Sequence, residues 1–206
     1  MLKEIEEIYG RGMLSKPKST AKVIEVFSSQ NSIGKTALAL HRASIVQKKG
    51  GTVLYIDSDN TLCYDYAIKC GIDPSKLLVS YENSAPHVFN LIKNLARENK
   101  VSLVILDTIT ALIFFDRFGE GFTELVGLIL KSNMDIMVLH QIRLHYENRS
   151  NLRSLIQIYI DREKTFRNMD GMTIEYRNRI TVKKGNLLLQ NYIFEVNNTK
   201  IVTKAL

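Results

Sequence analysis

Apolar residues gather in short dense runs at 23–27, 52–56, 77–80, 101–106 and 135–140. Runs of this length, apolar at successive positions rather than at every second one, predict strands covered on both faces. Between them, segments 34–49, 62–70, 87–98 and 122–132 read as helices, and Gly50-Gly51 breaks the first of these. Strands alternating with helices imply a mostly parallel sheet with helices on both faces, so the predicted fold class is α/β.

After Arg143 the pattern changes. A polar, basic stretch leads to β-like runs at 156–160, 172–176, 180–182 and 191–196, with Gly185-Asn186 as a hairpin-turn signal between two of them. This predicts an antiparallel C-terminal β extension of the sheet rather than a separate domain. At the other end, Leu2, Ile5 and Ile8 mark a short amphipathic helix, followed by a basic connector over 11–22 that contains Pro17. The predicted organisation is an N-terminal helix and connector over 1–22 and one core domain over 23–206, with no internal repeat or low-complexity segment.

Composition narrows the class. With 206 residues, 45% hydrophobic and 24% charged, the chain is an ordinary globular one, which excludes a disordered tail, a collagen-like rod and a disulfide-knotted module. Cys63 and Cys70 match neither a C-x-x-C redox pair nor a zinc set and read as reduced intracellular thiols. His41 and His87, on predicted helices far from other ligands, read as packing or surface residues. Apolar runs such as 37–40 and 103–106 fall far short of the roughly 20 residues of a membrane span. The acidic start Glu4-Ile5-Glu6-Glu7 is unlike a signal peptide, so a soluble, cytoplasmic protein without a membrane partner is expected. The net charge is +7, and residues 143–206, with 12 basic and 6 acidic side chains, hold +6 of it. Such a block is either a surface for phosphate backbones or a solvated face.

The candidate chemistry begins at Ser29-Gln30-Asn31-Ser32-Ile33-Gly34-Lys35-Thr36, which matches the phosphate-loop pattern G-x-x-x-x-G-K-[ST] except that Ser29 replaces the first glycine. In such a loop, backbone amides and the following helix N-terminus surround a phosphate; Lys35 would neutralise β and γ oxygens and Thr36 would offer its hydroxyl to Mg²⁺. Asp107 closes the run 101–106, where a carboxylate either holds Mg²⁺ or caps the next helix. Asp57 and Asp59 follow the second strand, and either one orients a water at the γ-phosphate or makes an Asx turn.

These residues resemble the RecA/RadA recombinases over most of the chain. Residues 4–12 are similar to the start of the RecA core, and Tyr55-Ile56-Asp57-Ser58-Asp59-Asn60-Thr61-Leu62 is similar to the strand that ends in the catalytic carboxylate. The resemblance makes Asp59, not Asp57, the water-activating residue, and Tyr66, in Tyr66-Ala67-Ile68-Lys69-Cys70-Gly71-Ile72, the residue that stacks on adenine. Leu103-Val104-Ile105-Leu106-Asp107-Thr108 is similar to the Walker B strand. His140-Gln141-Ile142-Arg143 resembles the strand end whose glutamine senses the γ-phosphate, which gives Gln141 that role and makes 144–153 the second DNA loop, with Arg143, His145, Arg149 and Arg153 as phosphate contacts.

The departures from the family also carry expectations. Asp59 stands where RecA has glutamate, which implies slow hydrolysis. The first DNA loop is cut down to about 114–122; there Phe114, Phe115, Phe118 and Phe122 either stack on bases or, at helical spacing for the last three, pack in a core or a subunit contact. Lys184 aligns with the first of two lysines that reach a neighbour's nucleotide, and Asn186 with the second. The resemblance implies a RecA-like P-loop ATPase core using ATP and Mg²⁺, binding single-stranded DNA in recombination or repair, and nucleoid-associated when on DNA. Double-stranded DNA, a full-length recombinase and further copies of the chain are partners it allows. The alternatives are a mediator paralogue with little or no hydrolysis and a signalling ATPase with no DNA role.

Overall fold

A computed structural model of the chain describes residues 23–28, 34–109, 112, 118–141, 156–167, 169–171, 173–184, 187–197 and 201–205. These fall into two compact units. The first, Lys22–Val26 with Gly34–Gln141, alternates strands and helices: β1 (Val23–Ser28, whose last two residues, Phe27 and Ser28, belong to the second unit), α1 (Lys35–Lys48), β2 (Val53–Asp57), α2 (Tyr64–Lys69), β3 (Leu77–Ser80), α3 (Ala85–Glu98), β4 (Leu103–Asp107), α4 (Phe118–Lys131) and β5 (Asp135–Gln141). The order across the sheet is β3-β2-β4-β5-β1, and the pairs β2–β3, β2–β4 and β4–β5 are parallel. Every residue of β2 and β4 is buried. A strand can reach that state only with cover on both faces, which is why its sequence is apolar without alternation.

Helix α1 packs against β2, β4 and β5, whereas α3 and α4 pack against each other. On α3 the buried positions Val88, Phe89, Ile92 and Ala96 form a stripe at helical spacing. Phe89 meets Phe122 of α4 with ring centroids 6.4 Å apart. A Cβ on Gly121 would stand 2.9 Å from the Phe89 ring, so this glycine serves close packing inside a helix. Helix α4 therefore starts four residues before the predicted 122, and 118–122 are helical rather than loop. Phe122, 9% exposed, takes the packing role of the two weighed for it. Phe114 and Phe115 lie outside the described residues.

Two other boundaries moved for local reasons. Helix α2 starts at Tyr64 rather than 62, because the amides of Thr61 and Leu62 donate to the Asp57 carboxylate and are held in a turn. Helix α3 starts at Ala85 rather than 87, with Pro86 in the first turn, where its missing N–H costs nothing.

The described strands of the second unit are β6 (Ile156–Arg167), β7 (Thr173–Lys184), β8 (Leu187–Asn197) and β9 (Ile201–Ala205), paired antiparallel in that order. The runs predicted at 172–176 and 180–182 are one strand. The polar break between them is ordinary strand, in which Asn178 is buried and Arg179 exposed. Ile158 faces Val182 and Ile160 faces Ile180 across the β6–β7 pair, and Phe27 stacks on Tyr159 with centroids 5.1 Å apart. Lys184 pairs with Leu187 at the β7–β8 end where the hairpin turn was predicted, although Gly185-Asn186 lies outside the described residues. Strand β9 was not predicted. The helix and connector of 1–22 also lie outside the described residues. No helix among the described residues is long and apolar enough to cross a membrane.

Phe122→Ala is expected to lower stability by about 3 kcal/mol in urea denaturation, the usual cost of emptying a buried aromatic site. A residue kept free for stacking on bases would change stability little.

Candidate functional site

Parallel strands carry their carboxyl ends to one edge of a sheet, and ligands of α/β proteins gather there. At this edge β2 ends in Asp57 and β4 in Asp107, direct partners in the ladder. On β5, Leu139 pairs with Asp107 and the strand ends two residues later at Gln141. Gly34, with φ 104°, adopts a left-handed conformation that favours glycine, and its carbonyl accepts the first helical bond from Leu38 N at 2.9 Å. Lys35 and Thr36 thus occupy the first turn of α1, where the backbone amides and the helix dipole favour an anion. Ser29, Gln30, Asn31, Ser32 and Ile33 lie outside the described residues.

The centre of the site is the Asp107 carboxylate, 5% exposed. Thr36 Oγ1 donates to its Oδ2 at 2.8 Å, tying α1 to the end of β4. The Tyr55 hydroxyl, from β2, donates to the same oxygen. Burial pushes Asp107 above the usual carboxylate range, opposed by the two hydroxyl donors and by the Lys35 charge, with Asp57 adding to the rise. Lys35 is itself buried, and desolvation lowers its pKa against the pull of Asp107. Burial likewise raises the Tyr55 hydroxyl, helped by the Asp107 charge.

Asp57 and Asp59 are now separable. Asp57 is 1% exposed, and its carboxylate accepts the amides of Thr61 at 3.0 Å and Leu62 at 2.8 Å. It builds the turn after β2. Asp59 is exposed, and its Oδ2 accepts Thr108 Oγ1 at 3.2 Å, one residue beyond Asp107. Ser58 closes the same corner, with its amide donating to Asp107 O at 3.0 Å and its hydroxyl to Thr108 O at 2.7 Å; the Asp107–Thr108 peptide is cis.

Tyr66 lies half-exposed on α2, and its hydroxyl is pushed up to about 12 by burial and by the neighbouring Cys70 thiol. Gln141 closes β5 at the same edge as Asp107. The DNA-contact candidates Arg143, His145, Arg149 and Arg153 lie outside the described residues. Tyr55 is the site residue that the sequence reading missed. Its signal was available, since a tyrosine in an apolar strand must find its hydroxyl a partner.

The oxygen donors suit a magnesium ion, which prefers one or two carboxylate or hydroxyl ligands with phosphates and water making up the rest. Thr36 and Asp107 supply that pair at 2.8 Å. Among the described residues no three His, Cys, Asp or Glu side chains gather as a metal cage, and this mode of binding needs none.

Asp57→Ala is expected to cost about 1–3 kcal/mol by orphaning two amides, while Asp59→Ala should change stability by no more than about 0.5 kcal/mol, both measured by chemical denaturation. For Asp107, whose native pKa is raised, both states are protonated below about pH 4 and carry no charge penalty. As pH climbs towards the native value only the unfolded chain ionises freely, so the native state loses stability. Asp107→Asn is therefore expected to become more stable than wild type as pH rises from about 4 towards 7, with the difference vanishing below about pH 4 in denaturation curves taken across pH.

Residues 3–120 match the family model of the RecA N-terminal domain. Protein RecA of Mesoplasma florum is 28% identical over 196 residues, covering 87% of this chain and 56% of that protein. Protein RecA of Mycoplasma genitalium is 36% identical over 109 residues, covering 53% of this chain and 31% of that protein. Protein RecA of Petrotoga mobilis is 30% identical over 139 residues, covering 60% and 38%. The chain spans about half the length, or less, of these relatives. The matched family segment covers more than half of the 206 residues and takes in Lys35, Thr36, Tyr55 and Asp107, and the chain belongs to the RecA/RadA family.

Proposed function

We propose that this chain is an ATP-dependent DNA-binding protein of the RecA/RadA type acting in homologous recombination or DNA repair. The observation that carries the reading is the bond from Thr36, in the first turn of α1, to the buried Asp107 carboxylate at the end of β4. It joins a phosphate-binding helix start to an oxygen donor suited to a hard cation.

In this reading the triphosphate lies over Lys35, whose buried ammonium gains an anionic partner. Thr36 and Asp107 would hold the accompanying Mg²⁺, which when bound neutralises charge on the phosphate oxygens. Tyr66 stacks on the adenine. Asp59 orients a water and takes its proton as the water oxygen bonds to the γ-phosphorus and the bond to the β-phosphate oxygen breaks, giving ADP and phosphate. Gln141 senses the γ-phosphate and passes its state to Arg143, His145, Arg149 and Arg153, which contact the phosphate backbone of single-stranded DNA.

A second reading is a mediator paralogue that binds nucleotide and barely turns it over. The bond from Thr108 to Asp59 favours it, because one oxygen of the short carboxylate is already engaged.

Filter binding of single-stranded DNA with ATP, ADP or no nucleotide, at two salt concentrations, tests the proposal. Wild type should retain ATP with magnesium and bind DNA in an ATP-dependent way that weakens with salt. Lys35→Ala should lose ATP retention by at least about tenfold. Gln141→Ala should keep it and lose the ATP dependence of DNA binding. Failure of the wild-type chain to retain ATP, or retention unchanged in Lys35→Ala, overturns the reading. Turnover stimulated by DNA supports the ATPase, and tight binding with negligible turnover supports the mediator.

A further inference from the structure

Tyr55 occupies a strand position 1% exposed, between Leu54 and Ile56, where phenylalanine would fill the same space without a polar atom to satisfy. Burying a hydroxyl costs stability unless it is hydrogen-bonded, so the choice of tyrosine here is explained by what its oxygen touches. It touches Asp107 Oδ2. Thr36 Oγ1 donates to that same oxygen at 2.8 Å. The two donors come from different elements, Tyr55 from β2 and Thr36 from α1, so they restrain the carboxylate from two sides. An ionised carboxylate offers about four lone-pair sites on two oxygens, and two hydroxyls on one of them satisfy that oxygen. Among the described residues no donor is bonded to Oδ1 of Asp107.

We propose that Tyr55 is a positioning residue for the metal that accompanies the nucleotide: its hydroxyl, with that of Thr36, engages Oδ2 of Asp107 and leaves Oδ1 as the open acceptor. This role rests on the nucleotide reading above. Groups that orient a metal's carboxylate ligand typically change metal affinity by about 10- to 100-fold when removed. Tyr55 acts through Asp107, which places its effect at the lower end of that range.

The test is equilibrium binding of a fluorescent ATP analogue to the full chain, titrated with Mg²⁺ and repeated in EDTA, for wild type, Tyr55→Phe, Asp107→Asn and the double variant. In Tyr55→Phe the Mg²⁺ concentration for half-maximal binding should rise about tenfold, with metal-free nucleotide affinity unchanged. In the Asp107→Asn background the same substitution should add nothing. A loss shared equally by metal-bound and metal-free nucleotide, no loss at all, or an undiminished effect in the Asp107→Asn background overturns the proposal. If the wild-type chain itself retains no nucleotide, the nucleotide reading fails and the positioning role falls with it. Should Tyr55→Phe not fold, 3-fluorotyrosine placed at position 55 gives a second reading. Its ¹⁹F resonance should move when Mg²⁺ joins the nucleotide complex and not when nucleotide is added in EDTA; an unmoved resonance overturns the proposal.

Discussion

One buried carboxylate organises the candidate site. Asp107 lies at the end of a strand covered on both faces, in surroundings that disfavour its charge. Two hydroxyls and a buried lysine offset part of that cost. They come from β2 and from the first turn of α1, so the stabilisation of one charge also fixes where three elements meet. Low local polarity strengthens each of these contacts and makes each more costly to lose. A carboxylate kept here against its own desolvation is characteristic of sites where function outweighs stability.

The sheet explains why the chemistry sits at its edge. Every residue of β2 and β4 is buried, so neither strand has a solvent face on which to carry a binding group. In β2 and β4 charged residues occur only where the strands run out. The register then places Asp57 and Asp107 side by side, yet their tasks diverge through their partners. Asp57 is taken up by two backbone amides and shapes the turn, whereas Asp107 receives only side-chain hydroxyls on its carboxylate and remains open to a ligand. Hydrogen bonding to the backbone makes one of two identical residues structural.

Much of this was legible in the sequence because it depends on local pattern. Dense apolar runs gave the parallel strands, and Gly34-Lys35-Thr36 after a strand gave the helix start. Other features depend on contacts between distant segments. Tyr55 reads as core until its hydroxyl is seen to reach Asp107, which is 52 residues away in sequence. Gly119 and Gly121 read as loop residues, but both lie inside α4, and at Gly121 the Phe89 ring leaves no room for a Cβ. The polar stretch at 177–179 reads as a break, but it continues β7 because paired strands on both sides satisfy its backbone. In each case tertiary packing overrode a local signal that was correct in kind.

A second buried carboxylate sits in the same sheet and is handled differently. Glu25 on β1 meets the His140 imidazole on β5 at 3.1 Å, with the carboxylate almost wholly buried. These strands are neighbours, so the pair fastens the strand that runs towards Ser29 to the backbone immediately before Gln141. Breaking such a pair leaves one polar group stranded in the interior, which costs far more than the pair contributes when intact. Its value therefore lies in holding two strand ends in fixed relation. Asp107 performs the complementary task on the other neighbour of β5, β4, where it presents a carboxylate that is not wholly satisfied. The sheet thus keeps one carboxylate bonded to an imidazole within the ladder and presents the other at the rim, where the strands run out.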